Sequence, residues 1–144
     1  MIEIVSPVNK DRSESINEFV GKAVDLLFQG IHLLIVDLFP PGAHDLAGIH
    51  DKFNRQLSRT EERYNLPVDE PLTIASYVAG DNSVEKIDAY IEHLVVGAKT
   101  PDMPLFLKPD RYIDVPIEST YAAAYAGVPL VWRDVLEGRS GATA

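Results

Sequence analysis

A nearly continuous apolar run, IHLLIVDLF at residues 31–39, constrains the fold of this chain more than any other segment. A strand with one solvated face alternates apolar and polar residues, whereas a strand covered on both faces is apolar throughout. The run follows Gly30 and is closed by the turn sequence at 40–42, Pro-Pro-Gly. We therefore predict a strand at 31–38, inside a sheet that has other elements packed on both of its faces.

The segment before this run predicts a β-α-β unit. Residues 2–5 are mainly apolar, and Ser6-Pro7 ends them as a strand. From 13 to 29, apolar side chains recur at helical spacing, and Gly30 suits the position after a helix C-terminus. The apolar positions are Ile16, Phe19, Val20, Ala23, Val24 and Leu27. A strand, a helix and a strand in this order predict a parallel pair with a right-handed crossover.

The later sequence predicts a hairpin and two more helices. A helix is expected at about 45–60 with Leu46, Ile49, Phe53 and Leu57 on one face, and strands at 72–79 and about 86–96 are joined by turn residues at 80–82. Three prolines interrupt 101–109, which leaves a short edge strand at 104–107 at most. A helix at 117–126 follows, and residues 132–138 add a last turn.

Together these elements predict one mixed α/β domain over residues 1–137, a mixed sheet with flanking helices, and a flexible tail at 138–144. The chain has 144 residues, of which 46% are hydrophobic, and this is enough for one core.

Composition narrows the functional classes. The net charge of −9 disfavours a broad surface for nucleic acid or for an anionic membrane. The chain has no cysteine, which excludes disulfides and thiolate metal sites. No apolar run is long enough to span a membrane and no secretory leader is visible, so we expect a cytoplasmic protein without a membrane partner.

Three charged residues in the β-α-β unit form the first candidate site. Glu3 lies on the first strand, Asp37 lies near the end of the next strand, and Lys22 lies at the edge of the apolar stripe of the helix between them. Carboxylates and a lysine at this place would hold Mg²⁺ and orient a water molecule. The alternative is that Glu3 and Lys22 form a partly buried ion pair without a catalytic role.

The stretch 2–39 also resembles a known family. It begins E-I-V-S-P-V-N-K and continues with an aromatic residue and a lysine on the predicted helix, a glycine, and a strand ending in Asp37. It is similar to a bacterial family of unknown function with the motif E-V-x-S-P-x-N-K, which itself resembles the PD-(D/E)XK restriction-endonuclease-like superfamily. Residues 101–128 resemble the end of that family. The matching positions in 2–39 are Glu3, Ser6, Pro7, Asn9, Lys10, Phe19, Lys22, Gly30 and Asp37.

This resemblance implies a partial restriction-endonuclease-like fold that lacks the usual N-terminal part of the domain. It implies that Glu3 is a metal ligand and that Lys22 replaces the superfamily's lysine, whose place in this chain is taken by Val5. Ile35 and Pro40 stand where the family has Glu and Arg, and the preceding strand with its Asp is absent. The expectation is a remnant of a Mg²⁺-dependent nuclease-like hydrolase that is inactive alone, with Mg²⁺ as cofactor only if it is active.

Two further groups of residues are weaker candidates. The turn SPVNKDR at 6–12 would let Asn9 and Lys10 grip a phosphate, but a solvated turn is the favoured interpretation because acidic residues dilute its charge. No two of the histidines have the helical His-x-x-x-His spacing, so structural or exposed histidines are favoured over a zinc site. They are His32, His44, His50 and His93.

The rival functional hypothesis is a non-catalytic interaction or assembly protein. The first strand has no predicted neighbour on one side, and Ile2, Ile4 and Val5 make that edge apolar. Open sheet edges recruit other chains, so we expect a homodimer or larger homo-oligomer. Nucleic acid is a partner by resemblance only, and the acidic charge disfavours it.

Overall fold

A four-stranded mixed sheet organises the computed structural model, which describes residues 1–58, 63–80 and 87–139. Its strands are β1 (Ile2–Ile4), β2 (Leu33–Asp37), β3 (Leu72–Val78) and β4 (Asp88–Leu94), hydrogen-bonded in that order. β1 is parallel to β2, and the other two neighbouring pairs are antiparallel. The predicted mixed α/β class and the parallel pair of the first two strands are therefore confirmed.

Two layers of apolar side chains cover the two faces of this sheet. Every residue of β2 and of β3 is buried, as a strand covered on both faces requires. One layer packs against helices α2 (Ser13–Phe28) and α3 (Gly48–Ser58). The other packs against a hairpin of β5 (Met103–Lys108) and β6 (Arg111–Val115). The two-sided covering predicted from the run at 31–39 is confirmed.

Helix α2 matches its predicted bounds closely because its pattern is local. Its buried residues are those of the predicted stripe, except that Phe19 is only partly buried. After the helix, Gly30 adopts φ +82°, a left-handed conformation that glycine enters without a steric penalty. The helix thus stops where the chain must turn back into β2.

Other elements differ from the predictions. Helix α3 begins at Gly48 rather than at about 45, because the Asp45 carboxylate accepts the Gly42 N–H and holds residues 42–45 in a turn. Leu46, expected on the buried face of that helix, therefore precedes it and is exposed. A short helix, α1 (Pro7–Lys10), occupies the predicted turn. The β5–β6 hairpin forms in spite of Pro104, since a two-stranded ribbon leaves each strand with a free edge.

Two helices end the described chain. The predicted helix at 117–126 is confirmed as α4 (Ile117–Ala126), and the predicted last turn is a separate helix, α5 (Leu130–Leu136). Neither helix contains a buried residue.

Some predictions fall outside the described residues. They are the helix end near Thr60, the turn residues Asp81-Asn82, the strand start at Lys86 and the tail residues 140–144. Over the described ranges, no helix has the length and apolar character that crossing a membrane requires.

Candidate functional site

Glu3 and Lys22 form an ion pair across the β1–α2 crossover. Lys22 Nζ lies 3.4 Å from Glu3 Oε1, so the predicted ion-pair contact is confirmed. Side chains alternate along a strand, and Glu3 therefore faces α2 while Ile2 and Ile4 face the opposite side of the sheet. The Lys22 side chain is 66% exposed. Water screens a pair in this position, and its contribution to stability is small.

An open groove of about 380 Å³ lies beside this pair. It runs between β1 and α2, with Arg12 and Lys22 as its cations and Glu3 and Glu18 as its carboxylates. Its other lining residues are Ile4, Val8, Asn9, Ser15 and Phe19. The balanced charges leave no strong preference for an anionic ligand.

Asp37, the third predicted catalytic residue, is held by Lys10 rather than by Lys22. Lys10 Nζ donates to Asp37 Oδ2 at 2.9 Å and to the Phe39 carbonyl oxygen at 2.6 Å. Lys10 Nζ also lies 2.8 Å from Asp45 Oδ2. This contact is an ion pair without hydrogen-bond geometry. The predicted site is therefore divided between an exposed pair, Glu3 and Lys22, and a buried cluster of Lys10, Asp37 and Asp45, which we call the Lys10 cluster.

The structure also changes the interpretation of residues 6–12. Asn9 Oδ1 accepts hydrogen bonds from the Ser6 N–H at 2.8 Å and from Ser6 Oγ at 2.7 Å, which caps α1. The Lys10 side chain is only 7% exposed, so the solvated-turn interpretation is wrong for this residue. An ammonium group has three donors. In Lys10 they face three acceptor groups of the protein, so Lys10 is committed to internal contacts. Asn9 caps α1 through Oδ1 and also lines the open groove, and its phosphate-binding role stays a prediction.

The Lys10 cluster carries one more negative than positive charge in a buried place. Burial raises the pKa of Asp37, although the Lys10 ammonium and the Phe39 N–H lower it in part. Asp45 is fully buried and accepts the Gly42 N–H at 2.7 Å. The cluster thus ties the end of β2 to α1 and to the loop that leads into α3. Its chemistry is that of a structural lock, because the Lys10 ammonium lies against both carboxylates and donates to Asp37 and Phe39 within the chain.

Two histidines and two tyrosines meet under α3 in a second polar cluster, which no pattern in the sequence predicted. His50 Nδ1 is hydrogen-bonded to the hydroxyl of Tyr77, and the hydroxyl of Tyr64 is hydrogen-bonded to His93 Nε2 at 2.8 Å. The rings of His50 and Tyr64 touch edge to face, with centroids 4.5 Å apart. Asp51 accepts the Tyr64 N–H at 2.7 Å and anchors the loop there.

The titration of this cluster follows from its burial. Desolvation lowers the pKa of His50 to about 4 and raises the pKa of Tyr77 well above its ordinary value. Both groups are therefore neutral near pH 7, and the hydrogen-bonded pair of His50 and Tyr77 packs into the core without a charge. No spacing in the sequence points to the second polar cluster, because its members come from α3, β3, β4 and the loop at 63–66.

The other two histidines have separate partners. His32 Nδ1 accepts the Ala79 N–H at 3.0 Å, and His44 Nδ1 lies 3.0 Å from Ser13 Oγ. Within residues 1–58, 63–80 and 87–139, no three His, Asp or Glu side chains are arranged to hold a metal ion.

Comparison with protein-family models, with curated proteins and with solved structures finds no match to this chain. The resemblance to restriction-endonuclease-like proteins and the roles it implies therefore stay predictions.

Proposed function

We propose that this chain is a non-catalytic interaction protein that assembles with a second copy through the outer edge of β1. The observation that carries the proposal is the exposure of this edge: Ile4 is 71% exposed, and Ile2 is exposed beside it. Both side chains lie on the same face of the sheet as the β5–β6 hairpin, which packs on β2 and β3. The hairpin does not bury them.

The backbone of β1 supports the same role. β1 is the outermost strand of its sheet, and in the described part of the chain no strand pairs with its free side. Unpaired N–H and C=O groups next to exposed apolar side chains favour the addition of another strand. A two-fold pairing satisfies both copies at once, and a specific interface of this kind buries at least about 1,000 Å² in total.

The test is the molar mass of the purified chain and of an Ile4→Lys variant, by light scattering during gel filtration. We expect the wild type to be larger than a monomer and the variant to lose half of its mass, because a lysine on the edge opposes pairing. Val68→Lys is the matched control, since Val68 is 96% exposed in a loop away from β1. Equal masses for Ile4→Lys and wild type would contradict the proposal.

A second candidate is the remnant of a Mg²⁺-dependent nuclease-like domain, which we propose to be inactive alone. The observation in its favour is the Glu3–Lys22 pair, which borders an open groove on a β-α-β unit. In this role Glu3 would bind Mg²⁺, Lys22 would orient water or stabilise a phosphate, and Asp37 would support them from β2. Following the resemblance, we place such a protein in a bacterial cytoplasm, with nucleic acid disfavoured by the net charge of −9.

Incubation with duplex and single-stranded DNA in the presence of Mg²⁺ or Mn²⁺ tests this candidate. We expect no cleavage, because Asp37 is held by Lys10 and the chain is acidic. Glu18→Ala is the matched control for Glu3→Ala, since both carboxylates line the same groove. Metal-dependent cleavage that Glu3→Ala abolishes and Glu18→Ala retains would establish an active nuclease and overturn the expected inactivity.

A further inference from the structure

The last two helices are apolar but bury none of their residues. We call α4 (Ile117–Ala126) and α5 (Leu130–Leu136) the C-terminal helix pair. We propose that the C-terminal helix pair is a second self-association surface, separate from the β1 edge, and that it docks against the same pair of another copy. The large exposed side chains that carry the proposal are Tyr121, Val131, Trp132, Val135 and Leu136.

Four of these side chains form one stripe along α5. Val131 and Trp132 are followed one turn later by Val135 and Leu136, so they share one helix face. Arg133 and Asp134 lie on the other side of the helix. A helix of seven residues is not stable in water without packing, and packing requires that its apolar stripe be covered. Within the described chain, nothing buries this stripe.

A side-chain hydrogen bond connects helix α4 to α5. The Tyr125 hydroxyl donates to a carboxylate oxygen of Glu137, which joins the end of α4 to the end of α5. Tyr121 stacks on Tyr125 one turn away, with ring centroids 6.2 Å apart. Between these tyrosines the sequence at 122–124 is Ala-Ala-Ala, all exposed. Small side chains let another helix approach closely, so α4 adds a flat contact surface to the stripe of α5.

The area of this surface fits a dimer. Trp132 and Tyr121 expose more than half of side chains that cover about 150–250 Å² each. With the aliphatic and alanine side chains, the surface is on the order of 600 Å² per copy, so two copies would bury about 1,200 Å², the lower end of stable interfaces. Large exposed apolar surfaces on a folded chain are often interaction sites.

Charge and symmetry favour a second copy as the occupant. Residues 117–139 carry three carboxylates and two guanidinium groups, a net charge of −1, whereas the whole chain carries −9. The repulsion between two copies at this surface is therefore weaker than the net charge of the whole chain implies. Two helices from each copy, related by a two-fold axis, make a four-helix bundle, a common closed packing of helices.

The experiment compares two positions of equal exposure on α5. Val131 and Leu130 are each 64% exposed, but only Val131 belongs to the stripe. We expect Val131→Glu to lower the molar mass of the full chain twofold in light scattering at about 100 μM, and Leu130→Glu to keep the wild-type mass. Circular dichroism checks the fold, and Leu136→Ser is a second variant of the stripe that introduces no charge.

Combination with Ile4→Lys separates this surface from the β1 edge. If both surfaces act, each single variant halves the mass and the double variant is a monomer. Loss of mass in Val131→Glu but not in Ile4→Lys would support the C-terminal helix pair and refute the β1 edge. A monomeric wild type, an unchanged mass in both stripe variants, or equal losses in Leu130→Glu and Val131→Glu would overturn the present proposal.

Discussion

Helices α2 and α5 have similar apolar residues, but only α2 buries them. α2 lies on the main sheet and buries five residues of its stripe, whereas α5 follows the β5–β6 hairpin and buries none. The difference arises from position, because a helix that crosses between two sheet strands is held against the sheet, and a helix after the last strand is not. Apolar patterning therefore predicts that a face will be covered, but it does not say whether the same chain covers it.

Lys10 and Lys22 show the same contrast between a buried and an exposed setting. Lys10 lies among Asp37, Asp45 and a carbonyl group with its side chain 7% exposed, whereas Lys22 meets Glu3 in water. The Lys10 cluster ties the end of β2 to α1 and to the loop before α3, whereas water screens the Glu3–Lys22 pair. Substitutions in the packed N-terminal region should therefore cost more stability than substitutions in the exposed pairs and helices.

The largest expected effect is that of Phe53→Ala. Phe53 is fully buried between Phe19 and Tyr77, so its removal should lower the free energy of unfolding by about 3–5 kcal/mol. Leu136→Ala on α5 should change it by less than about 0.5 kcal/mol in dilute protein. Urea unfolding followed by circular dichroism measures both, and similar losses would remove the contrast between the regions.

Replacement of Lys10 by Met should destabilise the fold by about 3 kcal/mol, because two buried carboxylates lose their cation. This loss is at the lower end of the range for broken buried ion pairs. In the variant, Asp37 takes up a proton, because its pKa is already raised in the wild type. Lys22→Met is the matched control, with an expected loss of about 0–1 kcal/mol. A larger loss in the control than in Lys10→Met would contradict the structural role of the Lys10 cluster.

Acidification should destabilise the fold through His50. The pKa of His50 is about 4 in the folded chain and 6.5 for a free histidine side chain, so between pH 6.5 and pH 4 the unfolded chain binds a proton that the folded chain does not. Stability should therefore fall by roughly 2–3 kcal/mol from pH 6.5 to pH 4. Asp37 acts in the opposite direction, because its raised pKa gives stability that is lost as pH rises. The urea midpoint should change less with pH in His50→Gln than in the wild type. The same pH dependence in both proteins would exclude His50 as the cause.

Two glycines give the smallest expected effect. Gly48 has φ +77°, and a Cβ there would lie 3.3 Å from Leu66 Cδ2, so Gly48→Ala should cost about 1–2 kcal/mol. Gly127 has φ −79° and an ordinary contact of 3.4 Å, so Gly127→Ala should change stability by less than about 0.5 kcal/mol. Thermal unfolding compares the two, and an equal loss at both positions would show that the turn after α4 is as constrained as the turn before α3.

The sequence predicted those parts of the fold that depend on near neighbours. The stripe of α2, the apolar run of β2 and Gly30 are local signals, and the structure has each of them where it was expected. The short strand expected at 104–107 lies within β5, but its pairing with β6 was missed because prolines weaken a strand pattern without forbidding a two-stranded ribbon. The predicted start of α3 was about three residues too early. The Asp45 carboxylate accepts the Gly42 N–H in a turn and does not cap a helix.

The candidate site was predicted only in part, for a related reason. Glu3 and Lys22 are brought together by the crossover geometry that the pattern predicts, and their contact was foreseen. The partner of Asp37 depends on the path of two loops, and no spacing relates Lys10 to Asp45 or His50 to Tyr77. Contacts of this kind are decided by the folded chain as a whole.

Trp132 is the only tryptophan of the chain, and its place on α5 decides what fluorescence can report. Its indole is far more exposed than the aromatic rings of the core, so its emission should have a long-wavelength maximum in the native monomer and shift little on denaturation. Docking of a second copy over α5 would move that maximum to shorter wavelength and would shield the indole from iodide quenching. Intrinsic emission is thus a poor signal for unfolding of this protein and a direct one for its association.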